Sequence, residues 1–304
     1  MTLAEPNLDQ SKAREKAAGA GVWLRLTVPI SILLVIATGC ELLIDGLFRG
    51  DAPYFVAQTI GQDVVTLLVA LPALVIGAVL AARGSGRARL VWLGVLVYLV
   101  YTYAIYAFHV RFNPLFLVYV ALLGFSLYAL VGGLATTDFD VIKARFTEGT
   151  PVRVASIFLA IVAATFYLLW MSEVVSALLS GEVPASVTDN GTPTNGVHVL
   201  DMAWILPSMV LAAVWLWRKR AIGYALAGVL LTFMTLLVTA IMAMVVSMSL
   251  YDQAVAFGQA AIFGSVAVMS MAMLIWYLRG FEGQSRAPSA AGAKSERSWT
   301  ARDG

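Results

Sequence analysis

Apolar residues along this chain arrive in eight long blocks instead of alternating with polar ones. A hydrocarbon core about 30 Å thick takes roughly 20 residues of α-helix at about 1.5 Å each. Runs of that size with few charges occupy residues 22–44, 60–82, 90–108, 114–135, 154–180, 199–217, 221–249 and 259–278. Stretches such as LVWLGVLVYLV are apolar on every side, which suits a helix in lipid and not the two-residue alternation of a barrel strand. The pattern therefore predicts an all-α fold: a polytopic transmembrane bundle of eight spans over residues 22–280. Pro29, Pro72 and Pro207 fall inside spans and predict bends. A four-plus-four division is possible by helix count, but no string is seen to recur between the first four spans and the last four.

Residues 1–21 carry a basic stretch ahead of the first run. That run is too long for a signal peptide and the small residues AAGAG precede it, so a short tail and an uncleaved span are expected. Residues 281–304 are rich in Ala, Ser, Gly and Arg and read as a disordered tail.

Charge adds an orientation. Counted by loop, eighteen of the twenty Lys and Arg residues fall on the side that carries both termini, against Arg49 and Arg111 on the other. The positive-inside rule then places both termini in the cytoplasm of a cell inner or plasma membrane. Loops near 45–59, 109–113, 181–198 and 250–258 face outward. Glu41, Asp45, Asp51, Asp63, Glu173, Glu182, Asp189, Asp201 and Asp252 lie on that outward side, as do His109 and His198, so the outer mouth is acidic although the net charge is only +2. The inner half offers no acid or histidine for a proton relay across the full depth.

Ionisable side chains within spans are costly and are candidates for function. Glu41, Asp63, Glu173 and Asp201 qualify, with Asp63 and Asp201 expected within a turn of their helix ends and Glu173 near the outer boundary of an overlong helix. Span three places Tyr98, Tyr101, Thr102, Tyr106 and His109 on one face, suiting either a wet cavity or interhelical packing. His198 and Asp201 stand three apart on an opening turn, where Asn195 is a cap candidate. Thr232, Thr235 and Thr239 read as packing, and Arg111 as a partner for an outer acid or an anionic headgroup.

The strings FNPLFLVYVALLG and VHVLDMAWILP, with RKRAIGYALAGVLL after the latter, resemble segments of a family of uncharacterised polytopic membrane proteins of bacteria. The resemblance covers spans three, four, six and seven and implies a membrane protein of about eight spans without attaching an activity to any residue. The residues themselves leave three readings open. One is an acidic, outward-facing vestibule for a cation or small polar solute, built from Glu41, Asp63, Tyr106, His109, Arg111, Glu173, His198 and Asp201. A second is a membrane-embedded enzyme whose metal ligands would come from His109, His198, Glu173 and Asp201, or whose haem would be held by the two histidines. The third is a sensor or assembly subunit without chemistry. The lipid bilayer is the expected partner and nucleic acid is not; oligomeric state is left open.

Overall fold

A computed structural model describes residues 21–255 and 257–281, and the two terminal tails read from the sequence lie outside the described residues but for Gly21 and Phe281. Among the described residues eight helices are long and apolar enough to cross a membrane: α1 Gly21–Leu43, α2 Pro53–Ala82, α3 Gly86–His109, α4 Phe116–Ala135, α5 Val152–Ser180, α6 Gly196–Trp217, α7 Ala221–Leu250 and α8 Phe257–Arg279. This is an integral membrane protein. Large apolar side chains such as Leu68, Leu117, Leu168, Leu179 and Val268 cover its outside, which is the surface a bilayer solvates.

Connections run from tight turns at 83–85 and 218–220 to the longer segments 136–151 and 181–195, which carry the short helices Phe139–Ala144 and Ala185–Thr188. At the end bearing the histidines, Asp51 accepts a hydrogen bond from the backbone of Arg111 (3.0 Å), joining two connections, and Gln58 of α2 donates to Asn190 (2.9 Å) in a third. Asp51 is half-buried, and burial pushes its carboxyl above the ordinary carboxylate range against the pull of Arg111. At the opposite, basic end Arg89 donates to Thr136 and Thr137, and the aromatic rings of Phe146, Tyr224, Tyr277 and Phe281 pack together.

The four-plus-four division left open by helix count is present in the backbone, which repeats a π turn and a twelve-residue helix although no string recurs. The π-helical turn Thr66–Ala70, the helix Leu71–Ala82, a cap at Arg83 and a left-handed residue at Gly84 lead into α3. The π-helical turn Asp201–Ile205, the helix Leu206–Trp217, a cap at Arg218 and a left-handed residue at Lys219 lead into α7 in the same order, 135 residues later. In that register Leu71, Pro72, Val75, Ala78, Val79 and Arg83 recur as Leu206, Pro207, Val210, Ala213, Val214 and Arg218. Contacts obey it too. Gly61 of α2 lies against the backbone of Met244 in α7, and Gly196 of α6 against the ring of His109 in α3, with 61 and 196, and 109 and 244, again 135 apart. The two approaches are reciprocal, although α2 packs extensively along α7 while α6 meets α3 only at its opening turn, where the cavity intervenes. Four spans per half return the chain to its starting side, so the halves run parallel about an axis along the membrane normal.

The axis passes between α3 and α7. Gly94 sits against the carbonyl of its own counterpart, Val229, and a Cβ there would come 2.4 Å from Thr232 Cβ, so only glycine admits this approach. The threonines of α7 read as packing do return their hydroxyls to its own carbonyls, Thr232 to Gly228 and Thr235 to Leu231.

The prolines act as local physics requires. Pro72 and Pro207 remove an N–H and clash one turn back, and each is preceded by a π turn in which the amide of Leu71 reaches Thr66 O and that of Leu206 reaches Asp201 O. Around Pro29 the helix is interrupted at Leu26 and resumes over Thr27–Leu43.

Gly94→Leu should force α3 and α7 apart and cost about 1–3 kcal/mol or more by overpacking. Gly124→Leu, where nothing lies within 4 Å, should be near neutral. Thermal unfolding in detergent measures both, and equal losses would refute the close approach.

Candidate functional site

A cavity of about 280 Å³ opens at the histidine end, walled by α2 and α3 from one half and α5, α6, α7 and α8. It therefore lies between the repeats. Its apolar wall comes from Phe166, Met234, Leu237 and Phe263, and its polar wall from Tyr106, His109, Glu173, His198 and Asp201. Among the described residues no Lys or Arg lines it.

The second half builds most of the polar wall. Asn195 caps the opening turn of α6, accepting from His198 N at 3.1 Å, which fixes where the imidazole starts. His198 is buried, and its Nε2 stands 3.6 Å from Glu173 Oε2, whose side chain remains 30% exposed. The Trp170 ring lies 4.4 Å from the imidazole, centroid to centroid, while Trp170 Nε1 donates to Asp201 Oδ2 at 2.9 Å. Asp201 opens the π turn that precedes Pro207, and Tyr167 caps the carbonyl of Met202 in that turn at 2.8 Å. The turn thus releases a carbonyl, α5 satisfies it, and the carboxyl of Asp201 is held at the cavity wall.

The first half uses the equivalent position differently. Asp63 stands 135 residues before His198, and the acid it meets is Glu41 from the end of α1. Both are buried, Asp63 to 1% exposure and Glu41 to 6%, and neither lines the cavity. Tyr106 separates them from it. Its hydroxyl donates to Asp63 Oδ1 at 2.9 Å while the same residue forms part of the cavity wall. Deeper along the α2–α3 seam, Gln62 donates to Thr102 (2.7 Å), and Thr66 and Tyr98 share a hydrogen bond (2.8 Å).

The eight residues singled out from the sequence thus divide. Tyr106, His109, Glu173, His198 and Asp201 share the cavity; Glu41 and Asp63 form a separate, enclosed pair; Arg111 belongs to the loop contact with Asp51. Asp63 also lies deeper in its helix than expected. α2 begins at Pro53, ten residues earlier, so Asp63 is about 15 Å along it and not within a turn of its end. Four side chains escaped the sequence reading: Gln62, Tyr103, Tyr119 and Trp170. An uncharged Gln or an aromatic inside an apolar run carries no flag of its own; helical spacing reaches Tyr103, three residues from Tyr106, and Trp170, three from Glu173, whereas no local signal reaches Gln62 or Tyr119.

Among the described residues no three His, Cys, Asp or Glu side chains converge as a metal centre needs. Comparison with known proteins yields no family model, no curated protein and no solved structure that matches this chain.

Trp170→Phe would keep the ring but leave Asp201 Oδ2 without its indole donor. The expected loss is about 1–3 kcal/mol of stability, read as a lower unfolding temperature. Asp201→Asn combined with Trp170→Phe should then lose less than the sum of the two single changes; strict additivity would refute the coupling.

Proposed function

We propose that this membrane protein binds a cation or small polar solute in the cavity between its repeats and moves it across the bilayer. The observation that carries the reading is the cavity's electrostatic make-up: Glu173 and Asp201 face it, and among the described residues no Lys or Arg does. Such a site concentrates positively charged solutes. Its volume of about 280 Å³ exceeds what a bare ion fills, and Trp170 and Tyr101 add aromatic faces that attract organic cations.

Transport is supported by architecture. Parallel repeats about an axis along the membrane normal, with interrupted helices beside the site, recur among secondary transporters, where rocking of one repeat against the other alternates access. Here the interruptions are the two π turns, one per half. The excess of basic residues at the other end favours an outward-facing histidine end with both termini in the cytoplasm of the cell membrane.

The test is equilibrium dialysis of the purified protein in nanodiscs with labelled methylammonium. Saturable binding is expected, weakened about tenfold or more by Glu173→Gln, equivalent to about 1.4 kcal/mol, and displaced by tetramethylammonium but not by acetate. Equal displacement by acetate, or indifference to both Glu173→Gln and Asp201→Asn, would refute it.

A further inference from the structure

Glu41 and Asp63 are buried neighbours in the interior, and among the described residues no Lys, Arg or His contributes to the surroundings of either. Titratable neighbours are all tyrosines: Tyr98, Tyr103 and Tyr106 from α3 and Tyr119 from α4. α7, which packs along α2, contains no Asp, Glu, His, Lys or Arg. Two carboxylates side by side, both removed from water and without a cation, cannot both carry charge.

A second observation bears on what they hold. Both oxygens of Glu41, Oδ2 of Asp63 and the hydroxyls of Tyr103 and Tyr119 lack a hydrogen-bond partner although all are buried. Tyr103 is 0% and Tyr119 1% exposed, and both hydroxyls belong to the surroundings of Glu41. Unpaired acceptors on two neighbouring acids, ringed by hydroxyl donors, call for one more hydrogen on the acids: a carboxyl–carboxylate hydrogen bond then satisfies both, and the hydroxyls solvate the single remaining charge.

We propose that Glu41 and Asp63 form an exchangeable proton-binding site that shares one proton, reached from the cavity through Tyr106. In uptake, a proton from cavity water joins the Tyr106 oxygen as the Tyr106 hydroxyl proton passes to Asp63 Oδ1; release reverses both transfers, so the tyrosine ends unchanged. The pair thus stands where the other half has the Glu173–His198 pair, but sealed behind a tyrosine instead of open to solute. The proposal goes beyond solute binding and does not depend on which solute the cavity takes.

Infrared difference spectroscopy of the full chain in nanodiscs tests it. A protonated-carboxyl stretch at neutral pH that shifts in D2O is expected, lost in Glu41→Gln and in Asp63→Asn, with deuteration slowed at least tenfold in Tyr106→Phe. Absence of such a band, or its survival in both amide variants, would overturn the shared proton; unchanged deuteration in Tyr106→Phe would overturn the route. Methylammonium binding is read separately, so failure of the cavity reading leaves this result interpretable.

Discussion

The close approach of α3 and α7 at Gly94 is the contact on which the rest of the molecule depends. Lipid tails are as apolar as leucine, so helices in a bilayer gain nothing from burying apolar surface against each other and must instead pack closely or share polar groups. Gly94 allows the backbones of α3 and α7 to meet at the two-fold axis, and these are the two most enclosed spans. With the axis closed at that depth, α2 is held on α7 through Gly61, and α6 meets α3 where Gly196 abuts His109. The space remaining between the halves at the histidine end is the cavity.

Duplication also explains why the two polar pairs are alike in position and unlike in chemistry. Positions 63 and 198 are equivalent, each meeting an acid from the preceding span. In the second half the partner of the acid is an imidazole and the pair opens to the cavity. In the first it is a second carboxyl, buried, with Tyr106 donating a hydrogen bond to Asp63. A duplicated scaffold in this way carries one pair open to the cavity and one enclosed pair, with Tyr106 touching both the cavity and Asp63.

Eight spans were legible in the sequence because length and hydropathy are what a bilayer demands of a helix. The repeat was not, since the recurring Leu, Pro, Val, Ala and Arg positions are scattered through apolar residues that any span tolerates. What marks the repeat is backbone: a π turn of five residues, a helix of twelve and a left-handed residue after the arginine cap. Acids inside spans were visible one by one, yet their partners were not. Nothing local says that Glu41 faces Asp63 while Glu173 faces His198, because each pairing crosses between helices. The depth of Asp63 was misread for a related reason: residues 53–59, with Tyr54, Gln58 and Thr59, are too polar to extend an apolar run but continue the same helix.

The two-fold join of α3 to α7 is tested most directly by a cross-link. A Cβ on Gly228 would lie 3.5 Å from Leu90 Cβ, within the span a disulfide requires. With the single native cysteine replaced as Cys40→Ala, the pair Leu90→Cys and Gly228→Cys should oxidise within one chain. After cleavage at a protease site placed between α4 and α5, the two halves should then migrate together until reduced. Halves that separate without reductant would contradict the arrangement.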